Sequence, residues 1–188
     1  MAHVCPWWGG YFIDNRFRRL LHKPEAILAP YVRDAMTVMD FGCGMGFFTL
    51  AMASLVGDHG HVIAIDLQQR MLEVLRKRAD QAGLSARIHT HRCQIDSLDL
   101  ADPVDFALAF YAAHEVPDMQ ALLRDILGCL RRGSHFLLVE PIGHVTAKRF
   151  RNMVTLAENQ GFALTDRPRI RLSHAALLTK TCHGRTEV

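Results

Sequence analysis

Three glycines at alternate positions, Gly42, Gly44 and Gly46, follow Asp40 and run into Phe47-Phe48-Thr49. Glycine suits a turn with strained backbone angles, and it lets a ligand approach the main chain more closely than a Cβ would allow. A second carboxylate, Asp66, closes the next apolar run. An acid at that place can accept both hydroxyls of a ribose, each such bond being worth ~1.5–3 kcal/mol. Further along stands Phe110-Tyr111-Ala112-Ala113-His114-Glu115. The imidazole of His114 titrates near neutral pH and is the candidate general base, with a loop-bracing histidine as the alternative. Glu115 could orient it, bind a cation, or sit in solvent. His3 with Cys5, and Cys182 with His183, are close pairs of metal-ligand types. No four-ligand spacing follows from them, so no metal site is expected.

These residues need elements to position them, and the order of apolar runs supplies a plan. Tyr11 to His22 has helical spacing, and Pro24 to Val32 follows as a short helix with proline in its first turn. From Thr37 the chain alternates strands with helical patterns, as a parallel sheet with crossover helices does. The predicted strands are Thr37–Phe41, His61–Asp66, Arg87–Cys93, Val104–Phe110 and Phe136–Glu140. Polar Arg87–Cys93 suits a sheet edge and apolar Val104–Phe110 its centre. Between them fall helices over 49–56 and 68–81, one with the stripe Met119, Leu122, Leu123, Ile126 and Leu130, and one carrying Phe150, Met153, Val154 and Ala157. Arg132-Gly133 is read as the turn into the fifth strand. Phe162–Asp166 and Ala175–Cys182 have no helix between them and form a terminal antiparallel hairpin. The expected fold is α/β: a Rossmann-like, doubly wound, seven-stranded and mostly parallel sheet.

Composition narrows the function classes. The 188 residues are 49% hydrophobic and 22% charged with a net charge of +3, so a core can form and a folded rather than disordered chain is expected. The length suits one domain with a short extension, divided here into an N-terminal helical and aromatic lid segment, 1–35, and a ligand-binding domain, 36–188. Charge is dispersed without basic blocks, so no nucleic-acid partner is expected. No apolar run reaches ~18 residues, so membrane insertion is not expected either. Five cysteines at irregular spacing fit a reducing compartment, and the expected location is cytoplasmic. Trp7-Trp8, flanked by glycines, is read as a lid, a groove plug or a homodimer contact.

Asp40-Phe41-Gly42-Cys43-Gly44-Met45-Gly46, with Asp66 and the closing hairpin, resembles the class I S-adenosylmethionine-dependent methyltransferases over about residues 37–180. Within them the chain looks most like the small-molecule branch that includes ubiquinone/menaquinone-biosynthesis and arsenite methyltransferases. The resemblance implies S-adenosyl-L-methionine as cofactor, S-adenosyl-L-homocysteine as product, and a small-molecule methyl acceptor. It places the Gly42-Cys43-Gly44 loop against the methionine part and Asp40 on its amino group. Asp66 would take the ribose, with Leu67 and Met71 covering the adenosine. Gln94, beside Ile95, falls at the adenine-reading position, where the family commonly has an acid; Asp96 follows two residues later, so the adenine reader stays open between them. Phe110 and Tyr111 would flank the cofactor, with Tyr111 and His114 at the reacting end. Two alternatives stay open: a non-catalytic S-adenosylmethionine-binding module, and an NAD(P)-dependent reductase. The dinucleotide fingerprint wants glycine or alanine where Phe47 stands, which counts against the reductase.

Overall fold

Seven strands pair in the order β3-β2-β1-β4-β5-β7-β6 in the computed structural model, which describes residues 22–181. The expected Tyr11–His22 helix and the Trp7-Trp8 lid lie almost wholly outside the described residues. The strands are β1 (Thr37–Phe41), β2 (His61–Asp66), β3 (Ile88–Arg92), β4 (Val104–Phe110), β5 (Leu130–Pro141), β6 (Phe162–Asp166) and β7 (Ser173–Lys180). The helices are α1 (Pro24–Leu28), α2 (Thr49–Leu55), α3 (Gln69–Gln81), α4 (Met119–Cys129) and α5 (Ala147–Gln160). β7 alone runs against its neighbours, pairing antiparallel with both β5 and β6. The polar strand β3 lies at an edge and β4 near the middle, as their compositions require.

Side chains alternate across the sheet and give it two buried faces. Val38, Phe106, Leu108 and Leu137 pack with Leu28, Val32 and Met52 of the N-terminal and α2 side. Met39, Ala107, Phe136 and Leu138 pack with Leu123, Ile126, Phe150 and Val154 of α4 and α5. Leu72 and Leu75 bring α3 onto Ala64 of β2. The 22–35 portion of the expected lid is therefore packed into this layer through Leu28 and Val32.

Apart from shifts of a single residue, three boundaries differ from expectation. α1 stops at Leu28 rather than Val32, because Pro30 cannot continue the hydrogen-bond ladder. Leu130, read as the last residue of a helical stripe, instead opens β5 opposite Val104. The ammonium of Lys180 donates to the carbonyls of Leu127 and Leu130 and closes α4 there, while the register shift between Val104 and Phe106 absorbs the Arg132-Gly133 segment inside the strand. β7 begins at Ser173 and ends at Lys180, two residues earlier than read at each end.

β1 and β4 are adjacent, yet their connections leave toward opposite edges of the sheet. That divergence opens a crevice beyond their carboxyl ends, the usual ligand position in such sheets. One wall is the start of α4, where Asp118 accepts from the backbone N–H groups of Gln120 (2.9 Å) and Ala121 (3.0 Å). Asp118→Ala is expected to cost about 1 kcal/mol, the usual worth of an N-cap, read as a lowered denaturant midpoint with unchanged slope.

Candidate active site

The loop after β1 is shaped from both sides. Gly42 and Cys43 donate their N–H groups to the carbonyl of Ile65 at 2.9 and 3.0 Å. The N–H of Gly44 reaches Oδ2 of Asp66 at 2.9 Å, and the other oxygen, Oδ1, accepts from Gln68 N–H at 2.8 Å. Gly42 has φ +68°, and a Cβ there would come within 2.3 Å of the Ala112 Cβ. Only glycine lets the β1 and β4 loops meet. Gly44 has φ +53°, but a Cβ there would meet nothing within 4 Å. Its missing side chain leaves space at the mouth of the crevice.

That crevice is a cavity of about 690 Å³, ample for a nucleoside-sized ligand beside a small acceptor. The residues expected from sequence to hold cofactor or act at the reacting end line it: Asp40, Gly42, Cys43, Gly44, Asp66, Leu67, Met71, Gln94, Ile95, Phe110, Tyr111 and His114. Met71 is both a lining residue and part of the buried core. Gln94 is exposed and Ile95 is 54% exposed, on a loop held by Gln94 N–H to Ser97 O (3.0 Å) and by Leu98 N–H to Asp125 Oδ2 (3.0 Å). Asp125, on α4, is a loop support that the sequence reading did not identify.

The carboxylates differ in what they can still do. Asp40 is 2% exposed and accepts from the Thr49 hydroxyl at 2.6 Å. Asp66 is 9% exposed, and burial lifts its carboxyl above its ordinary value, with the N–H groups of Gln68, Gly44 and Leu67 opposing. Each carboxylate oxygen has two acceptor positions, so Asp66 can hold the loop and still take further donors. Cys43, in the same loop, is pushed well above the ordinary thiol value by burial and by Asp40 and Asp66. Burial likewise moves Cys93 up to about 11. These thiols stay protonated at neutral pH and are poor nucleophiles.

The far end of the cavity is built on β4 and β5. Phe110 lies 4.2 Å from Phe48 and 4.5 Å from Tyr111 between ring centroids, forming an aromatic wall. Tyr111 has φ +63°, and its hydroxyl is engaged with Ser173 Oγ (2.6 Å) and the Leu172 carbonyl (3.4 Å). Those bonds tie the β4 end to β7. His114 does not take its main-chain-independent partner from Glu115, as the sequence reading allowed. Its Nδ1 is 2.5 Å from Oε2 of Glu140, and its backbone N–H donates to Oε1 at 3.0 Å. Glu140 went unnoticed as a site residue; its signal is a lone carboxylate closing the apolar run Phe136–Val139.

The comparisons with known proteins bear on family and fold. A family model described as a methyltransferase domain matches residues 32–178. The chain is 29% identical over 109 residues to a ubiquinone/menaquinone biosynthesis C-methyltransferase, UbiE, of Vibrio campbellii, covering 57% of this chain and 42% of the relative. It is 33% identical over 123 residues to a 2-phytyl-1,4-naphtoquinone methyltransferase of Synechococcus elongatus, covering 64% and 52%. It thus spans about half the length of these curated relatives. Among solved structures, a SAM-dependent methyltransferase from Aquifex aeolicus superposes with a TM-score of 0.85 at 19% identity, covering 95% of this chain and 100% of the other. The [4+2]-cyclase SpnF gives 0.72 at 16% identity, covering 86% and 82%. Both likenesses are of fold.

Two predictions follow from the loop. Gly42→Ala should cost roughly 2–4 kcal/mol, from the strained φ and the clash with Ala112 together, read by denaturant unfolding. Gly44→Ala should cost only about 1–2 kcal/mol of stability, because it meets no atom. For Asp66, the folded state binds the proton more tightly than the unfolded chain. Ionisation therefore costs stability as pH rises through the lifted value, whereas accepting ligand hydroxyls favours the ionised form. Ligand affinity at this carboxylate is expected to fall as pH drops through that lifted value, measured by calorimetric titration across mildly acidic pH.

Proposed function

We infer that this chain, which belongs to the methyltransferase domain family, passes a methyl group from S-adenosyl-L-methionine to a small-molecule acceptor and releases S-adenosyl-L-homocysteine. The observation that carries this reading is the convergence, at the β1/β4 switch point, of two strand-ending carboxylates on either side of a loop whose Gly44 faces open space.

The residues present fit the cofactor by their chemistry. Asp40 supplies a buried negative charge for an ammonium group. The loop over 42–44 offers main chain without side-chain obstruction. Asp66 retains acceptor positions for ribose hydroxyls, and Leu67 and Met71 offer apolar cover for the adenosine. Gln94, with an amide oxygen in place of the family's acid, stands at the adenine-reading position beside Ile95. Bound there, the cofactor supplies a methyl group already activated by a sulfonium. The protein's part is then to align the acceptor, exclude water and manage a proton. Phe110 and Tyr111 wall the cavity where cofactor and acceptor would meet, with the Tyr111 hydroxyl engaged by Ser173. His114 stands at the same end as the titratable group.

The relatives are named as a ubiquinone/menaquinone biosynthesis C-methyltransferase and a 2-phytyl-1,4-naphtoquinone methyltransferase, and an aromatic wall suits an aromatic acceptor of small size. Asp66→Ala should weaken S-adenosylmethionine binding roughly ten- to a hundredfold, as the loss of one or two charge-assisted bonds requires. Calorimetry on folded variant protein measures this. An unchanged dissociation constant would place the ribose elsewhere.

A further inference from the structure

Glu140 is 0% exposed at the end of a central strand, and both of its oxygens are spent on one residue. A buried carboxylate costs free energy unless hydrogen-bonded, so its placement needs a purpose that an apolar residue could not serve. One oxygen fixes the main chain of His114 and the other fixes its ring. The ring is 13% exposed and lines the cavity. Since an ionised carboxylate only accepts, Nδ1 must carry the hydrogen, and the lone pair of a neutral ring falls on Nε2. Nε2 makes no hydrogen bond to a described residue.

Resting on the methyltransferase reading above, we propose that Glu140 is a positioning residue that holds His114 as the Nδ1–H tautomer, leaving Nε2 to take a proton from a hydroxyl-bearing, preferably phenolic, acceptor. In that step the acceptor's O–H bond breaks and its proton bonds to Nε2. The electron pair stays on the oxygen, or is shared with the conjugated ring carbon, as the nucleophile. The resulting imidazolium is stabilised by the Glu140 carboxylate, and the proton later leaves to solvent. An acceptor that attacks with a ready lone pair would have no use for this arrangement.

The charged groups around the ring point the same way. The hydrogen bond to Glu140 lifts His114 above the ordinary imidazole value, and the charges of Glu140 and Glu115 add to this. Burial and Arg149 oppose it; the Arg149 guanidinium donates to the His114 carbonyl at 3.0 Å. His144, from the loop after β5, lies 5.9 Å away between ring centroids. Below its lifted value His114 holds its proton, and above it Nε2 can accept one, so the base form grows with rising pH.

The test uses the full chain with nitrogen-15 histidine and saturating S-adenosylhomocysteine, titrated by NMR. His114→Asn identifies the resonance. In the wild type this ring should titrate above the ordinary imidazole value and be Nδ1–H when neutral. In Glu140→Gln the amide oxygen can still accept from the His114 backbone, while its NH₂ faces Nδ1. The ring should then lose at least tenfold in proton affinity and switch to Nε2–H, and Glu140→Asp should restore part of the first tautomer. A wild-type Nε2–H tautomer, or an unchanged titration in folded Glu140→Gln, would overturn the proposal. If the Gln variant does not fold, the wild-type tautomer alone decides. S-adenosylhomocysteine binding, measured separately on the wild type, tells the two readings apart: its absence defeats the cofactor assignment whatever the tautomer.

Discussion

Three strands of the sheet carry a buried carboxylate at the last or next-to-last residue, and the cleft depends on how each is satisfied. Asp40 ends near the tip of β1, Asp66 closes β2 and Glu140 stands one residue before the end of β5. A charge taken out of water is tolerated only where donors replace the lost hydration. The three find theirs in Thr49, in the N–H groups of Gly44 and Gln68, and in His114. Each bond fastens a strand end to a neighbouring loop or helix. The cost of burying the acids and the shape of the site therefore have one origin. Asp66 shows it best, because the donor it draws in is the backbone of the glycine loop itself.

Much of this plan is legible in the chain. The spacing of Asp40, Gly42, Gly44 and Asp66 locates the loop, since glycine and carboxylate roles are local and depend on a few residues of sequence. Strand burial is legible too, because polar β3 and apolar β4 can exchange places only at large cost. What the sequence hides is pairing across distance. Nothing within reach of His114 announces Glu140, which stands 26 residues further on, and local reasoning offers Glu115 instead. Leu130 has the period of a helix residue, and its partners there, Val104 across the sheet and Lys180 fifty residues away, are distant in sequence. Tyr111 reads as a residue at the reacting end, and the contact of its hydroxyl with Ser173, sixty-two residues further on, is equally invisible in the sequence.

The fold by itself leaves the chemistry open, since one architecture can carry many activities. A methyltransferase and a [4+2]-cyclase both superpose well on this chain at low identity. The family match and the disposition of carboxylates around an unobstructed glycine loop together favour methyl transfer. The other end of the cavity carries an aromatic wall and a histidine held through a buried glutamate. Among the described residues, no helix is long and apolar enough to cross a membrane.

The most direct measurement of the central claim is calorimetric titration of the purified chain with S-adenosylmethionine, S-adenosylhomocysteine and NADH in parallel, after checking for carried-over ligand. Saturable one-to-one binding of the first two with none of the third is the predicted result. Binding of NADH alone would contradict the account, because the glycine loop and Asp66 would then serve a different nucleotide.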